Sequence, residues 1–572
     1  MKPGYRLQSF LSLTLFCFLA IAASAQETRK KKNDQKVDVT ITRNLQTHIY
    51  LLANDSMEGR RAGTPGELKT VNYLVSQYQK LAILPPAKSN SYIQTFIIDE
   101  GKSMGANTQL TINDVPLQKS IEFFPLSWSG EGSVDDISSV ALQEQSTPWW
   151  LDIGDVMESN TANPHFLPEQ YLKDFAKEAV KKGAKALFVY NSAGKPDSIS
   201  FNRKDKSPAV DIPVIYLTPA AIKKTAINST SSPSVKANIA FVEKKRTAHN
   251  VAAFLDNGAA QTVIIGAHLD HLGYGEDENT RYAGKDPVIH NGADDNASGT
   301  AAVIEIARLL KERTNIAYKK KHAMEYDALR KNNYLFLHFS GEELGLYGSK
   351  YFTENPLIDI STVNYMLNMD MIGRLNDSSS LTVGGVGTSP LWGEVLPTTS
   401  TSRFNIKIDS SGSGPSDHTS FYRKNIPVLF FFTGLHADYH KPEDDADKIN
   451  YAGETRIIQY ILDLVENSGS KGKLAFTKTK EQTMTGSKYK VSVGIMPDYT
   501  FSGAGVKADG VIDGRPAQKA GMQTGDVIIQ LGDYPVTGMD TYMQALNKFE
   551  KGQTTTVTIK RGDQTKALQV TF

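Results

Sequence analysis

Cysteine is almost absent from this sequence: the 572 residues include one, Cys17. Cys17 lies in an apolar stretch of 14 residues, 10–23, which follows two basic residues and precedes the small-residue pattern Ala23-Ser24-Ala25. We interpret residues 1–25 as a secretory signal peptide, because this stretch is shorter than the ~20 residues that a membrane-spanning helix needs. Cleavage near Ala25 would leave no cysteine, which excludes disulfides, thiol catalysis and thiolate-bound zinc in the mature protein.

An excess of charge of one sign is also missing. The sequence has 63 Lys+Arg against 62 Asp+Glu, so no bulk charge favours a nucleic-acid partner. With 40% hydrophobic and 22% charged residues, the composition excludes collagen-like, wholly disordered and multi-span membrane proteins. We therefore expect an exported protein, periplasmic or extracellular, that has no transmembrane segment after signal cleavage and binds no nucleic acid.

Shifts in composition divide the rest of the chain into a large domain with an insertion, a linker and a small C-terminal domain. The predicted boundaries are 26–110 for the N-terminal part of the large domain, 111–246 for a smaller inserted domain, 247–467 for the main part of the large domain, 468–485 for a linker poor in apolar residues, and 486–572 for the last domain.

The main part of the large domain alternates short apolar strands with helical segments. The predicted strands are Val263–Gly266, Tyr334–Phe339, Val363–Leu367 and Val428–Phe432. Near-continuous apolar strands that alternate with helices are typical of a mostly parallel sheet with helices on both faces. The fold class is therefore predicted as α/β, with an inserted α/β domain and a β-rich last domain.

Metal-ligating residue types follow each of these four strands. The segments are His268-Leu269-Asp270, Gly341-Glu342-Glu343, Asn368-Met369-Asp370 and Asp438-Tyr439-His440, and a fifth segment, Asp294-Asp295, precedes a helix. In open α/β sheets, ligands bind outside the carboxyl ends of the strands. We therefore expect these side chains to converge on one edge of the sheet.

The donor set indicates the metal. Imidazole and carboxylate ligands without sulfur suit zinc, with manganese or cobalt as possible substitutes. Two imidazoles and at least three carboxylates exceed the needs of one tetrahedral ion, and they suit two zinc ions about 3.5–4 Å apart that share one carboxylate. The sequence thus predicts two zinc ions per subunit.

Glu342 and Glu343 are adjacent, so in a regular strand they would point to opposite faces. They can share a site only where the strand breaks into a turn, which Gly341 permits. One glutamate can then bind metal while the other acts as a general base. The zinc-protease motif His-Glu-x-x-His and the serine-hydrolase motif Gly-x-Ser-x-Gly are both absent from the sequence.

The five segments, in this order and spacing, resemble the co-catalytic dizinc aminopeptidases, a family that includes bacterial leucyl aminopeptidase-like and glutamate-carboxypeptidase-like proteins. The resemblance covers about residues 40–110 and 247–467. It implies the following roles: His268 and Asp370 would bind one zinc, Glu343 and His440 the other, and Asp294 both, with a cis peptide to Asp295; Glu342 would be the general base, Asp270 would orient His268, and Tyr439 would help to stabilise the tetrahedral intermediate.

Two further resemblances concern the other domains. The segment 55–60 is similar to the start of the secreted, larger members of this family, in which a protease-associated domain interrupts the catalytic domain, and residues 111–246 occupy that position. The last region resembles a bacterial PDZ domain. In it, the backbone amides of Val493, Gly494 and Ile495 would receive a peptide carboxylate.

These observations together predict an exported zinc exopeptidase, most readily an aminopeptidase that acts on peptides or proteins. A carboxypeptidase or dipeptidase on the same metal core is the alternative enzyme. A peptide-binding scaffold that uses the PDZ domain, whose groove would bind a peptide C-terminus, is the alternative of a different class.

Overall fold

The computed structural model describes most of the chain from residue 39 onward. The described residues are 39–161, 166–193, 197, 199–203, 205, 207–277, 279–284, 286–319, 327–375, 380–397, 404–479, 491–498, 501, 503–512 and 514–572. The predicted signal peptide, residues 1–25, lies outside them. None of the helices within this described part of the chain combines the length and the apolar character needed to cross a membrane.

Twenty-two strands lie within the described residues and form the sheets. In chain order they are β1 (Ile93–Met104), β2 (Gln109–Ile112), β3 (Val115–Leu117), β4 (Phe123–Pro125), β5 (Gly132–Ile137), β6 (Pro148–Asp152), β7 (Ala186–Tyr190), β8 (Val214–Leu217), β9 (Ser234–Ile239), β10 (Phe241–Leu255), β11 (Thr262–His268), β12 (Asn333–Phe339), β13 (Val363–Met369), β14 (Ser380–Gly384), β15 (Asn405–Ile408), β16 (Val428–Phe432), β17 (Ile495–Pro497), β18 (Val506–Val511), β19 (Val527–Leu531), β20 (Tyr534–Pro535), β21 (Thr554–Arg561) and β22 (Gln564–Thr571).

The described α-helices pack around these sheets. They are α1 (39–52), α2 (Pro65–Lys80), α3 (Ile153–Ser159), α4 (Pro168–Lys181), α5 (Pro219–Thr225), α6 (Gly299–Lys319), α7 (Tyr347–Glu354), α8 (Trp392–Val395), α9 (His418–Tyr422), α10 (Tyr451–Gly469), α11 (Pro516–Lys519) and α12 (Met539–Leu546). A short π-helical segment, Ala293–Ser298, leads into α6.

The chain divides into two units, and the first contains the eight-stranded sheet. This unit comprises residues up to Phe96 and Thr247–Thr479, so its N-terminal part ends earlier than the predicted residue 110. The strand order is β1-β10-β12-β11-β13-β16-β14-β15, and the central pairs β12/β11, β11/β13 and β13/β16 are all parallel. The mostly parallel sheet predicted from the apolar runs is therefore confirmed.

Both faces of this sheet are covered, as the apolar strands predict. Every residue of β11, β12 and β13 is buried. On one face, Val263 and Ile265 belong to a core shared with α1, α2, α6 and α10; on the other, Ile264 packs in a second core with Phe352 of α7 and Phe421 of α9. Alternate residues of one strand thus supply two hydrophobic cores.

The predicted linker begins too early. Residues 468 and 469 complete α10, and the following residues pack on the first unit. Leu474 is buried in its core, and the Thr479 backbone N–H and the hydroxyl of Tyr422 form a hydrogen bond of 3.0 Å. The stretch contains few apolar residues, so its composition gave no sign of these contacts. Residues 480–485 lie outside the described part of the chain.

The second unit comprises the described residues of 97–246 and 480–572. Within 97–246, two four-stranded sheets of order β3-β2-β9-β5 and β4-β8-β7-β6 enclose apolar cores of their own. Within 491–572, six strands surround a separate core, with β17 outermost in the described sheet. This part is β-rich, as predicted.

Candidate metal centre

The carboxyl ends of four parallel strands meet at one edge of the large sheet. His268, the last residue of β11, is level with Phe339, the last residue of β12, and Met369 of β13 is level with Phe431 of β16. The polar segments after these strands therefore emerge side by side. The π-helical segment before α6 brings its acidic residues to the same place.

Three of these residues form a first group that has the geometry of a metal site. His268 Nε2 lies 3.3 Å from Asp295 Oδ1 and 3.3 Å from Asp370 Oδ1. One potential ligand atom from each of the three residues falls within 4.8 Å of the others. His268 and Asp295 are almost fully buried, so this group is held rigidly by the surrounding core.

A second group adjoins the first and shares Asp295 with it. His440 Nε2 lies 3.1 Å from Glu343 Oε2 and 3.4 Å from Asp295 Oδ2. His271 joins this group, since its Nδ1 atom is 2.8 Å from Glu343 Oε1. His271, Asp295 and Glu343 offer a second set of atoms close enough to hold an ion.

Asp295, and not the predicted Asp294, connects the two groups. Oδ1 of Asp295 faces His268, whereas Oδ2 faces His440 and His271. The non-proline cis peptide is also one residue later than predicted, between Asp295 and Asn296. Two adjacent aspartates cannot be told apart by spacing alone, because the local backbone decides which one faces the site.

Asp294 instead fastens the segment to its surroundings. Its Oδ1 atom accepts hydrogen bonds from the backbone N–H of Gly373 (2.6 Å) and the hydroxyl of Ser298 (3.1 Å). Its other oxygen lies 3.3 Å from Nε2 of His436. Burial raises the pKa of the Asp294 carboxyl, although His436 opposes this effect.

Backbone carbonyls fix the orientation of the two predicted histidine ligands. Nδ1 of His268 donates to the carbonyl oxygen of Asp270 (3.1 Å), and Nδ1 of His440 donates to that of Asn279 (2.8 Å). Because a carbonyl only accepts, both Nδ1 atoms carry a proton, and both Nε2 atoms face the carboxylates of the site, where a bound metal would take the place of the Nε2 proton. The carboxylate of Asp270, expected to orient His268, lies farther from Nδ1, at 3.8 Å.

The chain turns after β12 at Gly341, as predicted, and the turn brings Glu342 and Glu343 to the same site. Gly341 has a φ of 71°, a left-handed conformation that glycine adopts without strain. Glu343 contacts the histidines of the second group, and the backbone N–H of Glu342 donates to Asp270 Oδ1 (3.2 Å). Burial and the neighbouring carboxylates, Asp370 first among them, raise the pKa of Glu342 well above its ordinary value, although His268 opposes the shift.

Electrostatic coupling is strong in this cluster. Burial alone would raise the pKa of Asp295, but the hydrogen bonds from His268 and His440 outweigh it and hold that pKa well below its usual range. Burial likewise disfavours a charged His440, yet Asp295 and Glu343 raise its pKa to about 10. Several carboxylates are thus buried close together, and positive charge nearby stabilises their ionised forms.

Two buried residues outside the predicted set hold the segment around Asp295. Asp444 Oδ2 accepts from the backbone N–H groups of Asp294 (2.8 Å) and Asp295 (3.0 Å). Arg60, 1% exposed, donates to four backbone carbonyls, which belong to Leu52, Leu269, Asn291 and Gly292. Their sequence context gave no signal, because arginine and aspartate are usually exposed.

Tyr439 lies beside the second group. Its ring stacks on that of His440, with ring centroids 3.9 Å apart. Burial and the carboxylates of the site, first Asp295, raise the pKa of its hydroxyl, so Tyr439 is a protonated hydrogen-bond donor at neutral pH. Its assignment to the tetrahedral intermediate stays a prediction.

The residues fit zinc ions by their chemistry and by their unmet bonding needs. The donors are imidazole nitrogens and carboxylate oxygens, which zinc accepts, and Asp295 presents one oxygen to each group. Nε2 of His271 is buried without a hydrogen-bond partner in the described part of the chain, as is Oδ2 of Asp270. Buried polar atoms are seldom left without partners in folded proteins.

The predicted peptide-terminus loop lies at the start of β17. Gly494 has a φ of 89°, and Ile495 begins the outermost strand of the described six-stranded sheet. The backbone N–H of Gly494 donates to Ser492 Oγ (3.1 Å), and the carbonyl of Val493 accepts from the N–H of Ala517 (2.7 Å). Whether these three residues bind a peptide carboxylate stays a prediction.

Two regions of the chain match the profiles of known protein families. Residues 250–465 match the profile of Peptidase family M28, and residues 478–572 match that of the PDZ domain. The two candidate ligand groups therefore lie within the region that is similar to Peptidase family M28, and strands β17–β22 lie within the region that is similar to a PDZ domain. The protease-associated insertion at residues 111–246 stays a prediction.

Two curated proteins are similar to parts of the chain. The chain is 30% identical to leupeptin-inactivating enzyme 1 of Streptomyces exfoliatus over 215 residues, which cover 36% of this chain and 40% of that protein. It is 26% identical to aminopeptidase YwaD of Bacillus subtilis (strain 168) over 299 residues, 48% of this chain and 55% of that protein. The matches thus span about two fifths to just over half of these curated relatives.

A solved structure resembles a larger share of the chain. The aminopeptidase from Aneurinibacillus sp. strain AM-1 aligns over 77% of this chain and 96% of its own, at 20% identity and a TM-score of 0.39.

Proposed function

We propose that the protein is an exported zinc aminopeptidase that removes N-terminal residues from peptides with two zinc ions at the candidate metal centre. The position of Asp295 carries this proposal, because one oxygen faces each ligand group and such sharing is what a two-ion site requires. The family match and the relatives named as aminopeptidases support the choice of peptides as substrates.

The residues of the chain divide the work as follows. His268 and Asp370 would hold one ion, Glu343 and His440 the other, with His271 beside the second and Asp295 between them. When bound, such a pair supplies a water with a pKa of about 7 and polarises the scissile carbonyl.

Glu342 then takes a proton from the attacking water and delivers it to the leaving amine. Burial and the neighbouring carboxylates raise the pKa of Glu342, which suits a group that has to take up a proton during the reaction. The protonated hydroxyl of Tyr439 would donate to the oxygen that becomes negative after attack.

Two substitutions test these roles separately. Glu342→Gln should keep the zinc content of the wild type and lose at least 100-fold in turnover of an aminoacyl chromogenic substrate, in line with the roughly 10²–10⁴-fold contribution of a general base. Asp295→Ala should lose metal as well as turnover. Glu354→Gln, an exposed change at the end of α7, is the matched control. Full activity in Glu342→Gln would overturn the assignment.

The direction of cleavage distinguishes the aminopeptidase from the alternative carboxypeptidase. Acetylation of the peptide N-terminus should abolish cleavage by an aminopeptidase, because the free amine is then missing. Amidation of the C-terminus would abolish cleavage by a carboxypeptidase. Chelation followed by zinc add-back on the same peptides tests the metal requirement.

The last domain is proposed to recruit substrates by their C-termini. Its outermost strand β17 is open to an added peptide strand within the described sheet, which supports this role. Removal of residues 486–572 should reduce cleavage of long peptides while short ones are cleaved as before, and an unchanged profile would reject recruitment.

Export is proposed from the N-terminal sequence alone. The expected observation is a mature protein outside the cytoplasm that begins near Gln26, as determined by N-terminal sequencing. A protein retained inside with residues 1–25 intact would contradict it.

A further inference from the structure

The loop between β11 and the π-helical segment runs alongside the second ligand group. Asn279 accepts a hydrogen bond from His440 Nδ1 (2.8 Å), and the backbone N–H of Arg281 donates to the carbonyl of the same histidine (2.8 Å). The hydroxyl of Thr280 also reaches that carbonyl, at 3.4 Å. The backbone of Arg281 is therefore fixed relative to a proposed metal ligand.

The side chain of Arg281 is positioned by stacking. Its guanidinium carbon lies 4.7 Å from the centroid of the Tyr439 ring, and that ring stacks on His440. Three planar groups thus form a column that leads outward from the second ligand group. Such a cation–π contact contributes about 0.5–1 kcal/mol at an exposed site, enough to favour one orientation of a long side chain.

The charge of Arg281 is not used within the described part of the chain. Two nearby arginines are paired: Arg61 with Glu276 and Asp277, and Arg374 with Asp438 and Asp444. Arg281, by contrast, is exposed and has no carboxylate within ion-pair distance among the described residues. A fixed guanidinium with free donors is suited to bind a carboxylate through two parallel hydrogen bonds.

We propose that Arg281 binds a carboxylate on the leaving part of the peptide substrate and so favours short or acidic peptides. This inference rests on the proposed aminopeptidase function. A carboxylate on the leaving part of the substrate comes from the residues that follow the one removed. Two sources share this chemistry: the C-terminal carboxylate of a short peptide and the side chain of an early Asp or Glu.

The distances limit which residue of the substrate can be reached. The two stacking distances place the guanidinium within about 9 Å of the His440 ring, and an extended chain covers that span in two to three residues of about 3.3–3.6 Å each. The recognised carboxylate therefore belongs to the first three residues of the leaving peptide. Longer neutral peptides gain nothing from Arg281.

The experiment compares peptide acids with their amides. For the zinc-loaded wild type, kcat/KM for a Leu-Ala-Ala acid should exceed that for its amide about fivefold through KM, the size expected of an exposed but well-oriented ion pair. The same comparison on a six-residue peptide should show no difference. A six-residue amide with Glu at the third position should be preferred over its Gln counterpart, which separates the two sources.

Arg281→Gln should abolish the preference for the acid over the amide and for Glu over Gln, and Arg281→Lys should retain part of both. Arg43→Gln, an exposed change on α1, should leave both preferences intact. Hydrolysis of Leu-p-nitroanilide, which has no carboxylate, gives the reference rate for each variant, so a general loss through Tyr439 and His440 is separated from a loss of the acid-over-amide preference. An equal rate for acid and amide in the wild type, or a preference retained in Arg281→Gln, would overturn the proposal.

A binding measurement separates this proposal from the proposed function. Calorimetry with the Glu342→Gln protein and the tripeptide acid and amide requires no turnover. Tighter binding of the acid that disappears when Arg281→Gln is added supports the carboxylate site even if the wild type cleaves none of the peptides. Equal affinities refute it even if aminopeptidase activity is found.

Discussion

Arg60 offers the most demanding test of how the metal centre is supported. Its guanidinium is buried and donates to four backbone carbonyls at 2.6–3.0 Å, with no carboxylate among these partners. Leu269, one of the acceptors, stands between His268 and Asp270, and Gly292 precedes the segment that carries Asp295. Burial lowers the pKa of Arg60 to about 10, so the side chain is still charged at neutral pH.

Replacement of Arg60 by methionine removes the donors while it keeps much of the volume. Each buried carbonyl left without a partner costs about 1–3 kcal/mol, and water entering the space would satisfy some of them. We therefore expect the free energy of unfolding to fall by about 3–5 kcal/mol. At roughly 2 °C per kcal/mol for a unit of this size, the melting temperature should fall by about 6–10 °C.

The measurement is thermal unfolding of the zinc-loaded and the chelated protein, together with zinc content. Arg60→Lys keeps the charge and three donors on one nitrogen, whereas methionine has no donor. The free energy of unfolding should therefore fall less in Arg60→Lys than in Arg60→Met. Arg43→Met on the exposed face of α1 serves as the control. A loss below about 1 kcal/mol in Arg60→Met, or unchanged zinc affinity in a folded variant, would refute the supporting role.

Three other predictions concern the same unit. Burial lowers the pKa of His338 to about 3, so on acidification the unfolded chain binds a proton at this histidine before the folded protein does. The contribution of His338 to stability should therefore be complete above pH ~6.5 and should fall as the pH drops toward 3, by up to about 1.4 kcal/mol per pH unit. Urea titrations at acidic pH should show a shallower slope for His338→Gln. His271→Ala should weaken zinc binding at the second group, because Glu343 loses the histidine 2.8 Å away; a chelator competition that gives wild-type affinity would show that His271 is no ligand. A chain that ends at Thr479 should unfold at a higher temperature than one that ends at residue 469, because only the longer one keeps Leu474 in the core. Equal melting temperatures would show that residues 470–479 belong to the linker.

The strands that position the site were predictable because their burial is so complete. The apolar runs before His268, Glu342 and Asp370 match β11, β12 and β13 to within two residues at each end. A strand buried on both faces is mostly apolar, and the cluster of polar residues that follows it marks its carboxyl end. The convergence of the ligands followed from that rule alone.

What could not be predicted depended on backbone geometry over one or two residues. Asp294 and Asp295 have the same side chain, and only the turn of the π-helical segment decides that Asp295 enters the site. His271 follows the predicted His268-Leu269-Asp270 string directly, so a signal was present, but spacing within a loop does not fix direction. Asp444 acts from 149 positions away through backbone hydrogen bonds, which leave no periodic pattern in the sequence.

The contacts of Arg60 and Asp444 also determine when the site can exist during synthesis of the chain. Arg60 is made before residues 97–246, whereas the carbonyls that it binds beside the metal ligands, at Leu269 and Gly292, follow them. Asp444, which holds the N–H groups of Asp294 and Asp295, is made later still. Since chains emerge from the ribosome N-terminus first, a nascent chain carries no complete centre until residue 444 has been made. The order of the sequence thus delays the assembly of the centre until every strand of the sheet that holds it has been made.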